Sequence, residues 1–158
     1  MSDGLVIRDA RSGDEDAILA LLKEFAEFER LTHIFRLTTE VIAHDFIGEH
    51  RRVICQIAEV DGTTAGVMIW IRTYGTFSAS PGIYLEDLYV RPQFRRRGIG
   101  KALLQRLARE DGANYIHWSV LDWNRAAAQF YETLGAARIA EWELYRISGE
   151  ALQRLTQK

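Results

Sequence analysis

The residues best suited to chemistry lie between Glu86 and Lys101. A β-rich run ends at Val90, and Arg91, Arg95, Arg96 and Arg97 follow within seven positions. Gly98 and Gly100 come next at alternate positions, and Ile99, Leu103, Leu104 and Leu107 then recur at helical spacing. A helix that starts in this way has unpaired N–H groups and the positive end of its dipole directed outward, which favours an anion. A glycine lets phosphate oxygens approach the backbone because no Cβ intervenes. The turn is not a dinucleotide fingerprint, because Arg96 stands where the first glycine of that motif is needed. Nor is it a P-loop, since the Gly-Lys-Ser/Thr sequence is missing. Just upstream stand Glu86 and Asp87, charges that a β-rich run must pair, expose or use. A cationic turn beside an anionic pair suits a protein that holds a phosphorylated compound next to a positively charged one.

Other reactive arrangements are missing. His33, His44, His50 and His117 fall on different expected elements and contain no His-Glu-x-x-His, so no metal site is expected. The only cysteine, Cys55, sits in the apolar run 53–57 and reads as a core thiol; alone, it excludes an internal disulfide. No serine sits in a nucleophile elbow, which argues against a covalent acyl-enzyme.

The elements that must position these residues follow from pattern. Leu5–Arg8 reads as a first strand. Ser12 and Glu15 have the spacing of a capping box before a helix over 13–30 whose apolar stripe is Ala17, Ile18, Leu21, Leu22, Phe25 and Phe28. Thr38 or Thr39 opens a shorter helix ending near Gly48. Arg52–Val60 and Thr64–Thr73 are strands joined by the hairpin signal Asp61-Gly62. Tyr74–Gly82 reads as a connection, Ile83–Val90 as a strand ended by Pro92, and Gly98–Glu110 as a helix closed by Asp111-Gly112. Tyr115–Leu121 is a strand, Asn124–Leu134 a helix, Ala137–Ile147 a last β segment and Gly149–Leu155 a closing helical turn. Helices alternate with strands in the second half, and an antiparallel hairpin stands in the first. The expected fold is α/β (or α+β), a mixed sheet with helices on both faces, in one domain over 1–158.

Composition sets the frame. With 158 residues the chain is long enough for one self-sufficient core. Its net charge of −2 gives no reason to expect nucleic acid, and no apolar run approaches the roughly 18 residues of a membrane span. Without a secretory signal, the expected location is the cytoplasm.

The run Arg95-x-x-Gly98-x-Gly100 resembles the pyrophosphate-binding signature of the GCN5-related N-acetyltransferase superfamily, whose backbone amides hold acetyl-CoA. Several segments are similar to the spermidine/spermine N1-acetyltransferase (diamine acetyltransferase) and thialysine acetyltransferase family. They include 84–90, the run from Trp118 to Asn124, Phe130-Tyr131 with Gly135-Ala136, Phe28-Glu29, 48–50 and the run from Glu141 to Tyr145. The resemblance covers about 5–155. It implies an acetyl-CoA-dependent transfer to a primary amine of a small cationic substrate, a polyamine or diamine. Tyr131 would be the general acid that protonates the departing thiolate, and Glu86 the base acting through water. Leu88, Tyr89, Val90, Arg95, Arg96, Arg97, Gly98, Ile99, Gly100, Lys101, Asn124 and Tyr131 would meet the cofactor. Glu29, Glu86, Asp87 and Trp142 would meet the amine. The relatives also imply a homodimer, and no metal.

Each assignment has a plain structural counterpart. Tyr131 near a helix end packs, Asn124 caps a helix, and Trp142 closes a core. Arg96 departs from the resemblance, since close relatives often have glycine there. Two other readings stay open. One is an acetyltransferase for thialysine, another amino-acid-like amine or a protein lysine. The other is a CoA-binding sensor without turnover.

Overall fold

The computed structural model describes residues 4–110 and 112–157. They form two compact units, Met1–Ser119 and Val120–Lys158.

The first unit is a five-stranded mixed sheet in the order β1 (Leu5–Asp9), β2 (Ile54–Val60), β3 (Thr63–Gly75), β4 (Ser80–Val90) and β5 (Ile116–His117). The first three pairings are antiparallel, and β4 runs parallel to β5. On one face Ile18, Leu21 and Leu22 of α1 (Glu15–Phe28) and Ile42 of α2 (Thr39–Asp45) pack on Cys55, Ile57, Val67, Ile69 and Tyr89. On the other, Ile99, Leu103 and Leu107 of α3 (Ile99–Leu107) cover Ala58, Met68, Trp70, Ile83 and Leu85. The expected mixed sheet with helices on both faces is therefore present within this unit.

Local chemistry accounts for most boundaries. Asp61 and Gly62 both adopt positive φ, 50° and 76°, which a two-residue hairpin matching strand twist needs. Thr38 caps α2 by accepting the Val41 N–H. Ser12, however, does not cap α1. Asp14 takes the N-cap position, and its carboxylate accepts the Arg11 N–H at 2.8 Å and two Arg8 guanidinium N–H groups at 2.8 and 2.9 Å. Glu15 turns to the Gly13 N–H instead of to Ser12. The ion pair with Arg8, at 2.8 Å, holds Asp14 in that position.

Two other expectations are corrected here. Most of Tyr74–Gly82 is not a connection, since β3 and β4 stay paired out to Gly75 and Ser80. A Cβ on Gly82 would lie 2.2 Å from the Tyr115 ring, so this glycine answers to a close aromatic approach inside a strand. The expected strand Tyr115–Leu121 shortens to Ile116–His117. The expected stop of α3 at Asp111-Gly112 falls partly on Asp111, outside the described residues; the helix itself ends at Leu107.

The second unit contains α4 (Arg125–Thr133) and α5 (Gly149–Thr156). Asn124 caps α4 through its side-chain oxygen and the Ala127 N–H, and Gly135 follows it at φ 90°. The expected β segment Ala137–Ile147 does not form as a strand. Alternation supplies two faces but no ladder, and Trp142, Leu144 and Tyr145 are 77–85% exposed.

Candidate active site

The central strand of the site is β4, and one irregularity organises it. Ile69 pairs with Asp87 and Trp70 with Leu85, so Glu86 is an extra residue on β4. Leu85 and Leu88 consequently face the same core although three positions separate them. Glu86 and Asp87, which strict alternation would place on opposite faces, both belong to the face covered by α1 and α2. Glu86 is exposed and Asp87 half-buried. Burial, with the charges of Glu86 and Glu29 close by, pushes the Asp87 carboxyl from 3.8 up to about 6. Glu29, directly after α1, is also pushed upward by burial. Three carboxylates thus share one local field. Among the described residues they form no metal-ligating group.

The backbone of β4 is arranged for a second purpose. β5 pairs with it only at Ile83 and Tyr84, and the last step of that junction is followed by a hydrogen bond between the Tyr84 hydroxyl and Ser119 Oγ at 2.9 Å. The Arg91 N–H bonds to the Ala65 carbonyl on β3, so alternation turns the backbones of Val90 and Leu88 away from β3. That outer edge has no strand partner among the described residues beyond Tyr84. The Leu88 and Val90 N–H groups turned toward that edge suit an extended ligand containing amides, whereas the Val90 carbonyl already accepts from Arg95 Nε. Tyr89 differs: its backbone faces β3, and its ring is 5% exposed and stacked on Phe25 at 5.3 Å.

The basic turn follows at once. Pro92–Phe94 is a single 3-10 turn, and Arg96 (φ 61°) and Gly98 (φ 79°) both take the left-handed conformation. Gly98 is the N-cap of α3, no side chain caps the helix, and no acidic residue stands in its first turn. The first helical hydrogen bond runs from the Ala102 N–H to the Gly98 carbonyl, so the N–H groups of Ile99, Gly100 and Lys101 precede the ladder. Arg96, Arg97 and Lys101 are exposed around them. This donor set fits a phosphorylated cofactor.

Two arginines of the run hydrogen-bond elsewhere, and a third, Arg97, lies over the Phe94 ring at 5.8 Å. Arg91 is bound to Glu24 of α1, at 2.8 Å through Nη2, and to the Thr64 carbonyl. Arg95 donates Nε to the Val90 carbonyl at 2.8 Å, with its guanidinium over the rings of Phe28 and Tyr89. Sequence spacing singled out the arginines without revealing which were committed to the fold. The bulge was missed as well, and only the adjacency of two charges in a strand hinted at it.

In the second unit, Tyr131 lies half-buried on α4 with its ring 5.2 Å from that of Phe130, and Asn124 is buried at the helix start. Trp142 is 77% exposed.

Comparison with known proteins agrees with this architecture. The model of the acetyltransferase (GNAT) family matches residues 16–136. A thialysine N-epsilon-acetyltransferase of Sus scrofa is 33% identical, over 98% of this chain and 98% of its own. An L-ornithine N5-acetyltransferase of Arabidopsis thaliana is 31% identical, over 94% of this chain and 86% of its own. An integron cassette protein from the mobile metagenome of V. cholerae superposes with a TM-score of 0.78 at 25% identity, covering 98% of this chain and 99% of that one. The chain belongs to the acetyltransferase (GNAT) family and is an enzyme of that family's general reaction, the transfer of an acetyl group from acetyl-CoA to an amine.

Proposed function

We propose that the chain acetylates a primary amine of a small, multiply charged cation, such as a diamine or polyamine. The observation that carries this reading is the bulge at Glu86, which gathers Glu86 and Asp87 on the face that also holds Glu29. A second cationic group on the substrate would meet Asp87 and Glu29, with the exposed ring of Trp142 as a further cation-binding surface. The relatives named for thialysine and ornithine favour a second reading, an amino-acid-like substrate with a side-chain amine.

The cofactor would be held by the backbone of Leu88 and Val90, by the first-turn N–H groups of Ile99, Gly100 and Lys101, and by the charges of Arg96, Arg97 and Lys101. Gly98 would keep the turn open, Tyr89 would support it from below, and Asn124 would orient the helix of Tyr131. Its thioester supplies the activated acetyl group. The amine nitrogen attacks only when neutral, so its proton passes through water to Glu86. The N–H groups of Leu88 and Val90 would stabilise the carbonyl oxygens on which negative charge grows. Tyr131 would act as the general acid, giving its hydroxyl proton to the sulfur as the carbon–sulfur bond breaks. We place the reaction in the cytoplasm, in a homodimer; a monomeric mass by sedimentation would contradict the dimer.

The experiment is steady-state turnover of purified protein with acetyl-CoA and a panel of amines: spermidine, spermine, putrescine, thialysine, ornithine, lysine and a lysine peptide. Preference for the polyamines supports the first reading, and preference for thialysine or ornithine the second. A preference for the peptide would contradict both.

A further inference from the structure

Arg95 belongs to the phosphate-binding signature by sequence, yet its side chain, although exposed, lies back against the end of α1 and β4. Nε donates to the Val90 carbonyl at 2.8 Å. The guanidinium carbon lies 5.1 Å from the ring centroid of Phe28 and 5.6 Å from that of Tyr89, within range of a cation–π contact with each. Tyr89 is itself fixed from below by Phe25 of α1, ring to ring at 5.3 Å and 29°. Phe28 is the last residue of α1, and the next residue is Glu29. Three parts of the molecule therefore meet at one planar cation: the basic turn, β4 and the end of α1 from which Glu29 projects.

We propose that Arg95 is a positioning residue for the amine side of the reaction. Its guanidinium clamps the end of α1 to β4 and so sets Glu29 relative to Asp87. The cofactor's phosphates are left to the exposed Arg96, Arg97 and Lys101, which among the described residues make no hydrogen bond like that of Arg95 to Val90, and to the backbone of the turn. The clamp also occupies the outward carbonyl of Val90, which leaves the Val90 N–H as that residue's contribution to the outer edge. This inference rests on the acetyl-CoA and amine reading given above.

A phosphate ligand and a stacking clamp respond differently to lysine. Lysine retains the charge but has neither the flat face nor the forked donors of arginine. The test is steady-state kinetics of wild type, Arg95→Lys, Arg95→Ala and Phe28→Leu, with KM measured separately for acetyl-CoA and for the preferred amine, and with thermal melting alongside. The clamp predicts that all three variants raise the amine KM by about fivefold, corresponding to roughly 1 kcal/mol of lost ring contact. Their acetyl-CoA KM should stay within about twofold of wild type, a margin below half a kcal/mol. Phe28→Leu lies outside the turn and keeps the experiment decisive if Arg95→Ala does not fold. Recovery by Arg95→Lys, together with a raised acetyl-CoA KM in Arg95→Ala, would overturn the clamp and make Arg95 a phosphate ligand. An unchanged amine KM in Phe28→Leu would overturn it as well. If wild type neither binds acetyl-CoA nor turns over any amine, the functional reading fails first and the clamp falls with it.

Discussion

Asp87 shows how one side chain can serve function against stability. Its carboxyl is held near 6 by burial and by the neighbouring charges of Glu86 and Glu29, against an ordinary 3.8. Between those values the folded protein retains a proton that the unfolded chain has released. The stabilising contribution is therefore complete below 3.8 and lost as pH rises through about 6. At pH 7.5 the charged form works against the fold. Asp87→Asn should then stabilise the fold at pH 7.5 by on the order of 1–2 kcal/mol, read as a higher melting point, and the advantage should vanish in melts at pH 4. The same substitution should weaken the amine. In wild type the amine KM should climb as pH falls below about 6, because a neutral Asp87 no longer attracts an ammonium group, while the acetyl-CoA KM should stay flat. A flat amine profile from pH 5 to 8 would remove Asp87 from the amine site. Cys55 illustrates the opposite case. It is 2% exposed and pushed up to about 12 by burial, as a core thiol should be, and the apolar run around it was a sufficient guide.

Among the elements, the turn before α3 decides whether an anion has a site, and its two left-handed residues can be tested separately. A Cβ on Gly98 would meet nothing within 4 Å, so replacing it is penalised by backbone conformation alone. Gly98→Ala should lose about 1–2 kcal/mol of stability, and Gly98→Asn less, because asparagine tolerates this region. Equal losses, measured by urea denaturation, would mean that crowding and not φ governs the position. Arg96 occupies the same region at φ 61° with a full side chain, where glycine would sit without strain. Arg96→Gly should leave the melting point unchanged or slightly higher. It should raise the acetyl-CoA KM modestly, and more at low salt than at high salt, since it removes one exposed cation. In β4, Gly82→Ala should destabilise by about 1–3 kcal/mol through collision with the Tyr115 ring. Gly82→Ala with Tyr115→Leu should recover most of that loss.

These elements also mark the limits of reading the chain. The helical stripe of α1, the Asp61-Gly62 hairpin and the passage from β4 through the turn to α3 were legible because each depends on neighbours close in sequence. The bulge at Glu86 was not, because register is a relation between β3 and β4 that neither strand encodes alone. The commitment of Arg91 to Glu24 and of Arg95 to Phe28 was hidden for the same reason. The 137–147 segment has alternating faces, but a strand also needs a partner.

For the whole molecule, charge is sorted more than it is abundant. A net charge of −2 conceals a cationic turn at the start of α3 and an anionic group around Asp87, joined by one strand of the same sheet. A cofactor with phosphates and a substrate with ammonium groups are each drawn to their own end of β4. The decisive measurement is the rate of CoA release from acetyl-CoA with the amine panel, for wild type beside Glu86→Gln and Tyr131→Phe. The expected result is turnover of a small cationic amine, reduced by about 10²-fold or more in each variant at matched stability, the scale on which proton transfer contributes. Tight binding of acetyl-CoA without turnover of any amine would contradict it and leave a cofactor-sensing protein instead.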